Sequence, residues 1–316
     1  MAITIGPGWS IGGGWTLGDP PPSGAKAIFG YGIVSGVRTS VTNLVSNTGV
    51  VSTDTTGVGT TRALLAAAGY GTDKAIFGYG IDDTTLPVSM TNLVSNTGVV
   101  ATNTAGVGTA RYGLAAAGYG TDKAIFGYGR IVSGAQSSLT NLVSNTGVVA
   151  TDTAGVGTAL IYGAAAGYGS DKAIFGYGTT SGSDGGSVSI TNLVSNTGVV
   201  GNNVTGVGTA RYRLAAAGYG TDKAIFGYGV GALYYSMTNL VSNTGVVATD
   251  TAGVGTERSY LAAATYGTDK AIFGYGTITN STGLSMTNLV SNTGVVATDT
   301  TGVGTARYGL AAAAYG

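Results

Sequence analysis

Arginine recurs at one position of a repeated segment, and it is the residue type here best suited to hold an anionic group. It precedes a run of three alanines in five of six copies, as Arg62, Arg111, Arg211, Arg258 and Arg307, and Leu160 stands in the sixth. A ring of guanidinium groups can bind a carboxylate or an anionic sugar through paired hydrogen bonds. The same groups can instead pair inside the fold with carbonyl oxygens or with Asp54, Asp152, Asp250 and Asp299. Repetition in nearly every copy favours this structural role.

Catalytic residue types are scarce in this chain. It contains no His and no Cys, and Glu257 is its only glutamate. Imidazole bases, thiolate nucleophiles and the usual zinc ligands are therefore missing. A sialidase would need a carboxylate beside a Tyr nucleophile, and the aspartate-box turn typical of that family does not occur. We expect a protein that is not an enzyme and that uses neither a metal nor a cofactor.

The arginines lie in a repeat that extends over residues 26–316. Lys-Ala-Ile-Phe-Gly-Tyr-Gly occurs six times, and successive copies are 48, 49, 49, 51 and 47 residues apart, beginning at Lys26, Lys74, Lys123, Lys172, Lys223 and Lys270. Each copy is followed by Thr-Asn-Leu-Val-Ser-Asn-Thr-Gly-Val-Val. A period near this length, built of short apolar segments that end in Gly, is typical of a propeller with one small sheet per repeat. The sequence predicts an all-β fold, a six-bladed β-propeller.

Four strands are predicted for each blade: an Ala-rich inner strand, the Lys-led strand, a strand ending in Thr-Asn-Leu-Val, and an outer strand such as residues 99–104. Alanine favours helix, but six residues between glycines are too few for a stable one, and small side chains suit a crowded centre. The chain starts with a Lys-led strand and ends with an Ala-rich one, residues 310–315. We therefore expect the C-terminal strand to complete the first blade.

Residues 109–129 carry a family resemblance. They run from an Arg through the three alanines to the Lys-led strand and its glycines, and in this they resemble a kelch repeat. The adjacent glycine pair of that family is split here as Gly-Tyr-Gly, and Val-Val replaces its usual aromatic residue. The resemblance implies a propeller. Kelch-like propellers include galactose-oxidase-type enzymes and binding adaptors, so the fold alone does not choose a function.

The copies differ in two places only. One is the stretch between the Lys-led and third strands, residues 33–41, 81–90, 130–139, 179–190, 230–237 and 277–286; the other is the entrance to the inner strand. In an antiparallel sheet, alternate connections emerge at opposite ends, so both variable stretches share one face. Tyr, Arg, Asp and Ser are abundant there, as on adaptable binding surfaces. Neutral drift of loops is the alternative. The predicted ligand-binding residues are Arg38, Arg62, Asp82, Asp83, Arg111, Tyr112, Arg130, Tyr162, Arg211, Tyr212, Arg213, Tyr234, Tyr235, Arg258, Tyr260, Arg307 and Tyr308.

Residues 1–25 do not belong to the repeat. They hold both tryptophans and three consecutive prolines, and a Pro run is a stiff spacer. We interpret this segment as an anchor that joins a structural protein or another subunit, through the apolar residues Ile3, Ile5, Trp9, Ile11, Trp15 and Leu17. The alternative is that it packs against its own propeller.

Charge and composition limit the kinds of partner that this protein is expected to bind. Lys plus Arg equals Asp plus Glu at 14 each, so no net field attracts nucleic acid or an acidic membrane. No stretch is typical of a signal peptide or a membrane span. We expect a binding or adhesion protein of a virion or cell surface, of the phage receptor-binding kind, whose variable face meets a carbohydrate or protein receptor. The alternative is a structural decoration or filament subunit assembled through the N-terminal segment.

Overall fold

The computed structural model describes residues 10–11, 15–16, 25–279 and 281–316. Within these residues the fold is all-β, as predicted, and the single helical element is a 3-10 turn at Asp184–Gly186. Of the predicted anchoring residues, Ile3, Ile5, Trp9 and Leu17 lie outside the described residues. Ile11 lies opposite Trp15 in a two-stranded pair of β1 (Ser10–Ile11) with β2 (Trp15–Thr16).

Each copy of the repeat forms one small antiparallel sheet, which we call a unit and number from one to six in the order of the Lys-led strands. These are the central strands, β3 (Lys26–Val34), β7 (Lys74–Gly78), β12 (Lys123–Gly127), β16 (Lys172–Gly176), β19 (Lys223–Gly227) and β22 (Lys270–Gly274). The Ala-rich strands are the inner strands, β6 (Ala66–Tyr70), β11 (Ala115–Tyr119), β15 (Ala164–Tyr168), β18 (Ala215–Tyr219), β21 (Ala262–Tyr266) and β24 (Ala311–Tyr315). The third strands are β4 (Val37–Val45), β9 (Thr91–Val94), β14 (Thr140–Val143), β17 (Thr191–Val194), β20 (Thr238–Val241) and β23 (Thr287–Val290). Short strands β5 (Arg62–Ala63), β8 (Ile81–Asp82), β10 (Arg111–Tyr112) and β13 (Arg130–Ile131) lie in the variable stretches.

The predicted order of strands within a unit is confirmed. In unit three, Ala115 lies opposite Gly127 on the central strand, and Phe126 lies opposite Asn141 on the third strand. Burial alternates along the inner strand, where Ala115, Ala117 and Tyr119 are buried. This two-residue period fits a pleated strand with one face in the core, and it overrides the helix preference of alanine.

The predicted fourth strand is not continuous. In unit two, residues 99–104 pair with β9 through isolated bridges only, Val94 with Val100 and Thr91 with Thr104. The register shifts by one residue between these bridges, which is the effect of a bulge. Asn92 fills the gap, because its amide nitrogen donates to the carbonyl oxygen of Ala101 and to Oδ1 of Asn103, both at 3.0 Å.

The C-terminal strand completes unit one, as the sequence predicted. Tyr315 lies opposite Lys26, and Ala311 lies opposite Gly30. The inner strands of neighbouring units contact one another in a closed series, from β6 through β11, β15, β18 and β21 to β24 and back to β6.

Neighbouring units pack through one repeated aromatic contact. The Phe of each central strand meets the Tyr of the preceding Gly-Tyr-Gly with ring centroids 5.1 Å apart, as in Tyr31 with Phe77 and Tyr275 with Phe29. A Cβ added to Gly30 would lie 2.8 Å from Cζ of Phe77, so the glycine makes room for the ring. These Tyr residues have positive φ, 67° for Tyr31, and the Tyr31 hydroxyl donates to the carbonyl oxygen of Val58 at 3.2 Å. Packing therefore explains the split glycine pair.

Candidate binding site at the variable end

The two variable stretches lie together at one end of the molecule, which we call the variable end. The entrance to each inner strand pairs with loops of two units: Arg62 lies opposite Thr39 of unit one and opposite Asp82 of its own unit. The turns that carry Ser-Asn-Thr-Gly and Gly-Thr-Asp-Lys lie at the other end, the constant end.

A closed ring of backbone hydrogen bonds joins the six units at the variable end. One residue of each entrance donates its N–H to the equivalent carbonyl oxygen of the preceding unit, at 2.7 to 2.9 Å. All six have a φ between 54° and 65°, a left-handed conformation that turns both backbone groups towards the neighbours. We call them ring positions: Leu64, Gly113, Tyr162, Arg213, Tyr260 and Gly309.

Side chains at the ring positions break the sixfold repeat. Tyr162, Arg213 and Tyr260 are consecutive, whereas Leu64, Gly113 and Gly309 on the other half carry an aliphatic side chain or none. The guanidinium carbon of Arg213 lies 4.3 Å from the ring centroid of Tyr260 and 5.2 Å from that of Tyr162. The Tyr162 and Tyr260 rings meet edge to face at 5.6 Å.

Two further tyrosines complete this group. The Tyr212 ring centroid lies 4.8 Å from the guanidinium carbon of Arg213, and Tyr308 lies 6.0 Å from Tyr260. A cation over an aromatic face is stabilised by the ring quadrupole. Burial raises the pKa of Tyr162 and of Tyr260, so both hydroxyls stay neutral at physiological pH. We call these five residues the aromatic cluster: Tyr162, Tyr212, Arg213, Tyr260 and Tyr308.

A recess of about 70 Å³ lies at the centre of the ring. Six leucines contribute to its wall, together with the glycines Gly113, Gly163 and Gly309. Tyr162 and Tyr260 add aromatic surface, and Arg213 is the one charged residue among the described lining residues. The described wall of the recess is therefore mostly apolar and aromatic.

The five repeated arginines do not belong to this surface. Arg62, Arg111, Arg211, Arg258 and Arg307 are each 0% exposed, which corrects their prediction as ligand-binding residues. In unit five, Nη2 of Arg211 donates to Oδ1 of Asn239 at 2.7 Å, and Nε donates to the carbonyl oxygen of Tyr228 at 2.8 Å. Its guanidinium carbon lies 4.5 Å from the ring centroid of Tyr177 in the preceding unit. Each of the five arginines links two units, because it donates hydrogen bonds within its own unit and its guanidinium lies against the tyrosine ring of the preceding unit.

Carboxylates in the interrupted outer strand support the same junctions between units. Asp250 accepts hydrogen bonds from the backbone N–H and the hydroxyl of Thr209, the latter at 2.7 Å, and from Asn239 at 2.9 Å. Partial burial opposes ionisation, but the bonds from Thr209 and Asn239 outweigh it and lower the pKa of Asp250. Its Oδ1 lies 3.9 Å from Nη1 of Arg211.

The other predicted site residues also lie at the variable end, and two of them, Tyr112 and Arg130, are near enough to act electrostatically on Tyr162 of the aromatic cluster. Nη1 of Arg38 lies 3.9 Å from Oδ1 of Asp83, whose carboxylate also accepts a hydrogen bond from Thr61. Asp82 accepts from its neighbour Thr84 at 2.5 Å, and Nε of Arg130 donates to the carbonyl oxygen of Gly134 at 2.6 Å. Tyr112 lies opposite Arg130, and Tyr234 opposite Val230. Tyr235 donates its backbone N–H to Gly229.

Unit four differs from the other five units at two otherwise identical positions beside its inner strand, and only the first of them, Leu160, was identified from the sequence. Leu160 stands in place of the buried arginine, and Gly163 stands where the other units have leucine. A cavity of about 10 Å³ results, lined by both residues and by Tyr128, Phe175 and Asn192 among others. The Gly163 exchange is visible when the six copies are compared, because the equivalent residue is leucine in each of the other five.

The constant end is uniform by comparison. A second closed ring of backbone bonds joins the units there, as from Gly71 N–H to the carbonyl oxygen of Asp122 at 2.8 Å. It surrounds a cavity of about 330 Å³ lined by lysine, threonine and tyrosine side chains. The lysines are paired with the preceding aspartates, as Lys123 with Asp122 at 2.7 Å, and side chains of this kind are 43–44% exposed. Exposed pairs of this kind contribute little stability.

No protein-family model matches the sequence, and comparison with curated proteins finds no significantly similar one. Among the described residues, no group of three or more acidic, His or Cys side chains is placed to bind a metal ion. The part of the chain described by the structure also has no helix of the length and apolar character that a membrane span requires.

Proposed function

We propose that the protein is a six-bladed β-propeller that acts as a binding protein and not as an enzyme. Four closed series support the propeller: the contacts between inner strands, the backbone ring at the variable end, the backbone ring at the constant end, and the Phe–Tyr contacts between units. Packed sheets repeated around a centre are how a propeller protects its strand edges. The kelch-like order of residues 109–129 fits the same architecture.

The variable end is the binding face, and its partner is a carbohydrate or a protein receptor. The observation that carries this proposal is the aromatic cluster. Its four tyrosines and Arg213 contact one another on one side of the recess, although the backbone around the recess repeats in all six units. Tyr and Arg dominate the energetics of binding surfaces because they combine large contact area with hydrogen bonds. The differences between the six copies are concentrated at the variable end, whereas the constant end is nearly identical in all of them. This distribution fits selection for contact with a ligand.

The point at which the N-terminal segment joins the ring supports an outward-facing site. Residue Ala25 lies at the constant end, where its carbonyl oxygen accepts the N–H of Gly267 at 2.7 Å. A segment 1–25 that anchors the protein to a structural protein or like subunit would leave the variable end directed away from the anchor. This arrangement suits a receptor-binding protein on a virion or cell surface.

A second function, as a structural decoration or filament subunit, is favoured by one observation. The turn after the third strand presents an exposed valine in every unit, with exposed fractions of 64–66%, at Val50, Val99, Val148, Val199, Val246 and Val295. Repeated apolar side chains on a rim suit lateral contacts with copies or neighbours.

A loop exchange separates the two functions. Residues 230–237, including Tyr234 and Tyr235, are replaced by residues 81–90, and binding to a glycan array and to host cells is measured beside the thermal midpoint. We expect altered ligand preference with an unchanged midpoint. The matched control is Val99→Thr at the constant end, which should leave ligand binding unchanged. Unaltered preference after exchange of every loop, with a change of assembly size in Val99→Thr, would favour the structural function instead.

A further inference from the structure

We propose that the cavity at the constant end is a second binding site, which takes a compact anion that carries several phosphate groups. This cavity lies opposite the binding face at the variable end, so the inference goes beyond the proposed function and does not depend on it. It rests on the space inside the cavity, the charge of its lining, and the strained turns that contribute to its wall.

The cavity has the size of a small-molecule site. Its volume is about 330 Å³, and pockets for small ligands measure about 300–1,000 Å³. Glycines and alanines of the inner strands form much of the wall, among them Gly69, Gly118, Gly167 and Gly218. Because these residues are small, the inner strands leave the space between them unfilled. The framework therefore provides room for a ligand of several groups.

The charged residues that line the cavity are all lysines. They are Lys74, Lys123, Lys172 and Lys223, and the described lining residues include no Asp, Glu or Arg. Each of these side chains is 43–44% exposed, so a dissolved ligand can reach its ammonium group. The described wall of the cavity is thus positively charged.

The paired aspartates leave lysine donors available. Nζ of each lining lysine lies 2.6–2.9 Å from Oδ1 of the aspartate before it. An ammonium group has three N–H donors, and the bond to the aspartate uses one of them. Oδ2 of Asp73 accepts a hydrogen bond from Asn96 at 3.1 Å, which holds the carboxylate at the neighbouring turn and outside the cavity lining.

Hydroxyl residues line the same cavity in a strained conformation. Their φ angles are 69–78°, at Thr72, Thr121, Ser170, Thr221 and Thr268. A β-branched residue is an outlier in this left-handed region, which glycine adopts readily. All five residues are exposed, so core packing does not explain the choice of a hydroxyl residue over glycine. The hydroxyls of Thr72 and Thr121 donate to the preceding carbonyl oxygen at 2.6 Å, and a hydroxyl can rotate to donate to an anion instead.

The use of lysine favours phosphate groups over carboxylates. A lysine ammonium is a compact charge on a flexible stem and is a common partner of phosphate, whereas the planar guanidinium of arginine matches a carboxylate with two parallel hydrogen bonds. The lysines come from different units around one cavity. A ligand that meets more than one of them needs several anionic groups, as a short polyphosphate has.

Calorimetric titration of the full chain with tripolyphosphate, inorganic phosphate and citrate tests this inference. We expect tripolyphosphate to bind about tenfold tighter or more than inorganic phosphate, because it reaches more than one lysine, and to bind more weakly as NaCl is added. Lys74→Gln combined with Lys172→Gln should weaken tripolyphosphate binding about tenfold or more. The matched control, Arg38→Gln combined with Arg130→Gln, removes the same charge at the variable end and should retain it.

A glycine variant separates binding from folding. Thr121→Gly combined with Thr221→Gly removes two hydroxyls together with their backbone strain, so the thermal midpoint should rise while tripolyphosphate binding weakens. Loss of folding cannot produce that combination. Equal binding of tripolyphosphate and inorganic phosphate, or no binding of either, overturns the inference. Tighter binding of citrate overturns the phosphate assignment, and weakening in the arginine variant alone overturns the location at the constant end.

Discussion

Nη2 of Arg307 donates a hydrogen bond to Oδ1 of Asn43 at 2.7 Å, although 264 positions separate the two residues. The bond lies where the C-terminal strand enters unit one, beside the pairing of β24 with β3. The last residue, Gly316, donates its N–H to the carbonyl oxygen of Asp73 at 2.8 Å and so closes the ring at the constant end. The C-terminal strand is thus bonded to unit one at the variable end and to unit two at the constant end.

Removal of residues 311–316 should therefore destabilise the whole ring. The deletion exposes the core face of β3, including Ile28 and Phe29, which are 0% exposed in the intact protein. We expect a lower thermal midpoint and loss of a single cooperative transition, measured by circular dichroism and calorimetry. A synthetic peptide of residues 307–316 supplied in trans should restore the transition. An unchanged midpoint in the deletion would contradict closure through this strand.

Arg111→Leu should cost about 3 kcal/mol of the free energy of unfolding, because neutral acceptors lose their buried donor. Oδ1 of Asn141 and the carbonyl oxygen of Leu139 both accept hydrogen bonds from this guanidinium. Urea unfolding measures the change. Lys123→Leu is the control, since its cation is 43% exposed and should contribute less than about 1 kcal/mol. An equal loss of unfolding free energy in the two variants would contradict a structural role for the arginines.

The reverse substitution tests unit four. Asn192 occupies the position of the arginine-binding asparagines, and its Oδ1 has no arginine donor, because Leu160 replaces that residue. Leu160→Arg combined with Asn203→Asp rebuilds the junction of units such as unit five. We expect an increase of about 1 kcal/mol in the free energy of unfolding, from the recovered hydrogen bonds and the contact with the Tyr128 ring. A decrease would mean that the neighbouring loops prevent the guanidinium from entering.

Alkaline pH should unfold the protein through its buried tyrosines. Burial raises the pKa of Tyr79 and of Tyr228 to about 12, whereas the unfolded chain ionises near 10. Because the unfolded state releases these protons first, their stabilising effect is complete below pH 10 and is lost as the pH rises towards 12. Tyrosinate absorbance at 295 nm should show exposed tyrosines titrating first and the rest together with loss of circular dichroism. Independent titration of all tyrosines in a folded chain would contradict this.

The features that recur in every copy could be predicted from the sequence. The central and inner strands follow from the repeated segments. The chain begins with a central strand and ends with an inner one, which predicts the observed pairing of β24 with β3. The interrupted outer strand was not predictable, since its bulge depends on the Asn92 side chain replacing a backbone bond. Residue type alone left two roles open for the repeated arginines, and their repetition favoured the structural one. A guanidinium suits an anion and a buried asparagine equally well, and only the 0% exposure of residues such as Arg111 separates the two.

The aromatic cluster was predictable only as a set of variable residues. Tyr162, Arg213 and Tyr260 stand among the residues predicted for the binding face, but nothing in their spacing indicates that the backbone joins them into one ring. Their left-handed φ arises from the inter-unit hydrogen bonds and not from a residue preference, because leucine, glycine, tyrosine and arginine all adopt it. Local propensity could not supply this information.

The main-chain hydrogen bonds between the ring positions do not depend on the type of side chain. Leucine, glycine, tyrosine and arginine all form them, although the side chains of Tyr162, Arg213 and Tyr260 also contact one another across units. The variable end thus combines a backbone that is the same in all six units with side chains that differ from unit to unit, so that its surface loses the sixfold repetition that the backbone keeps.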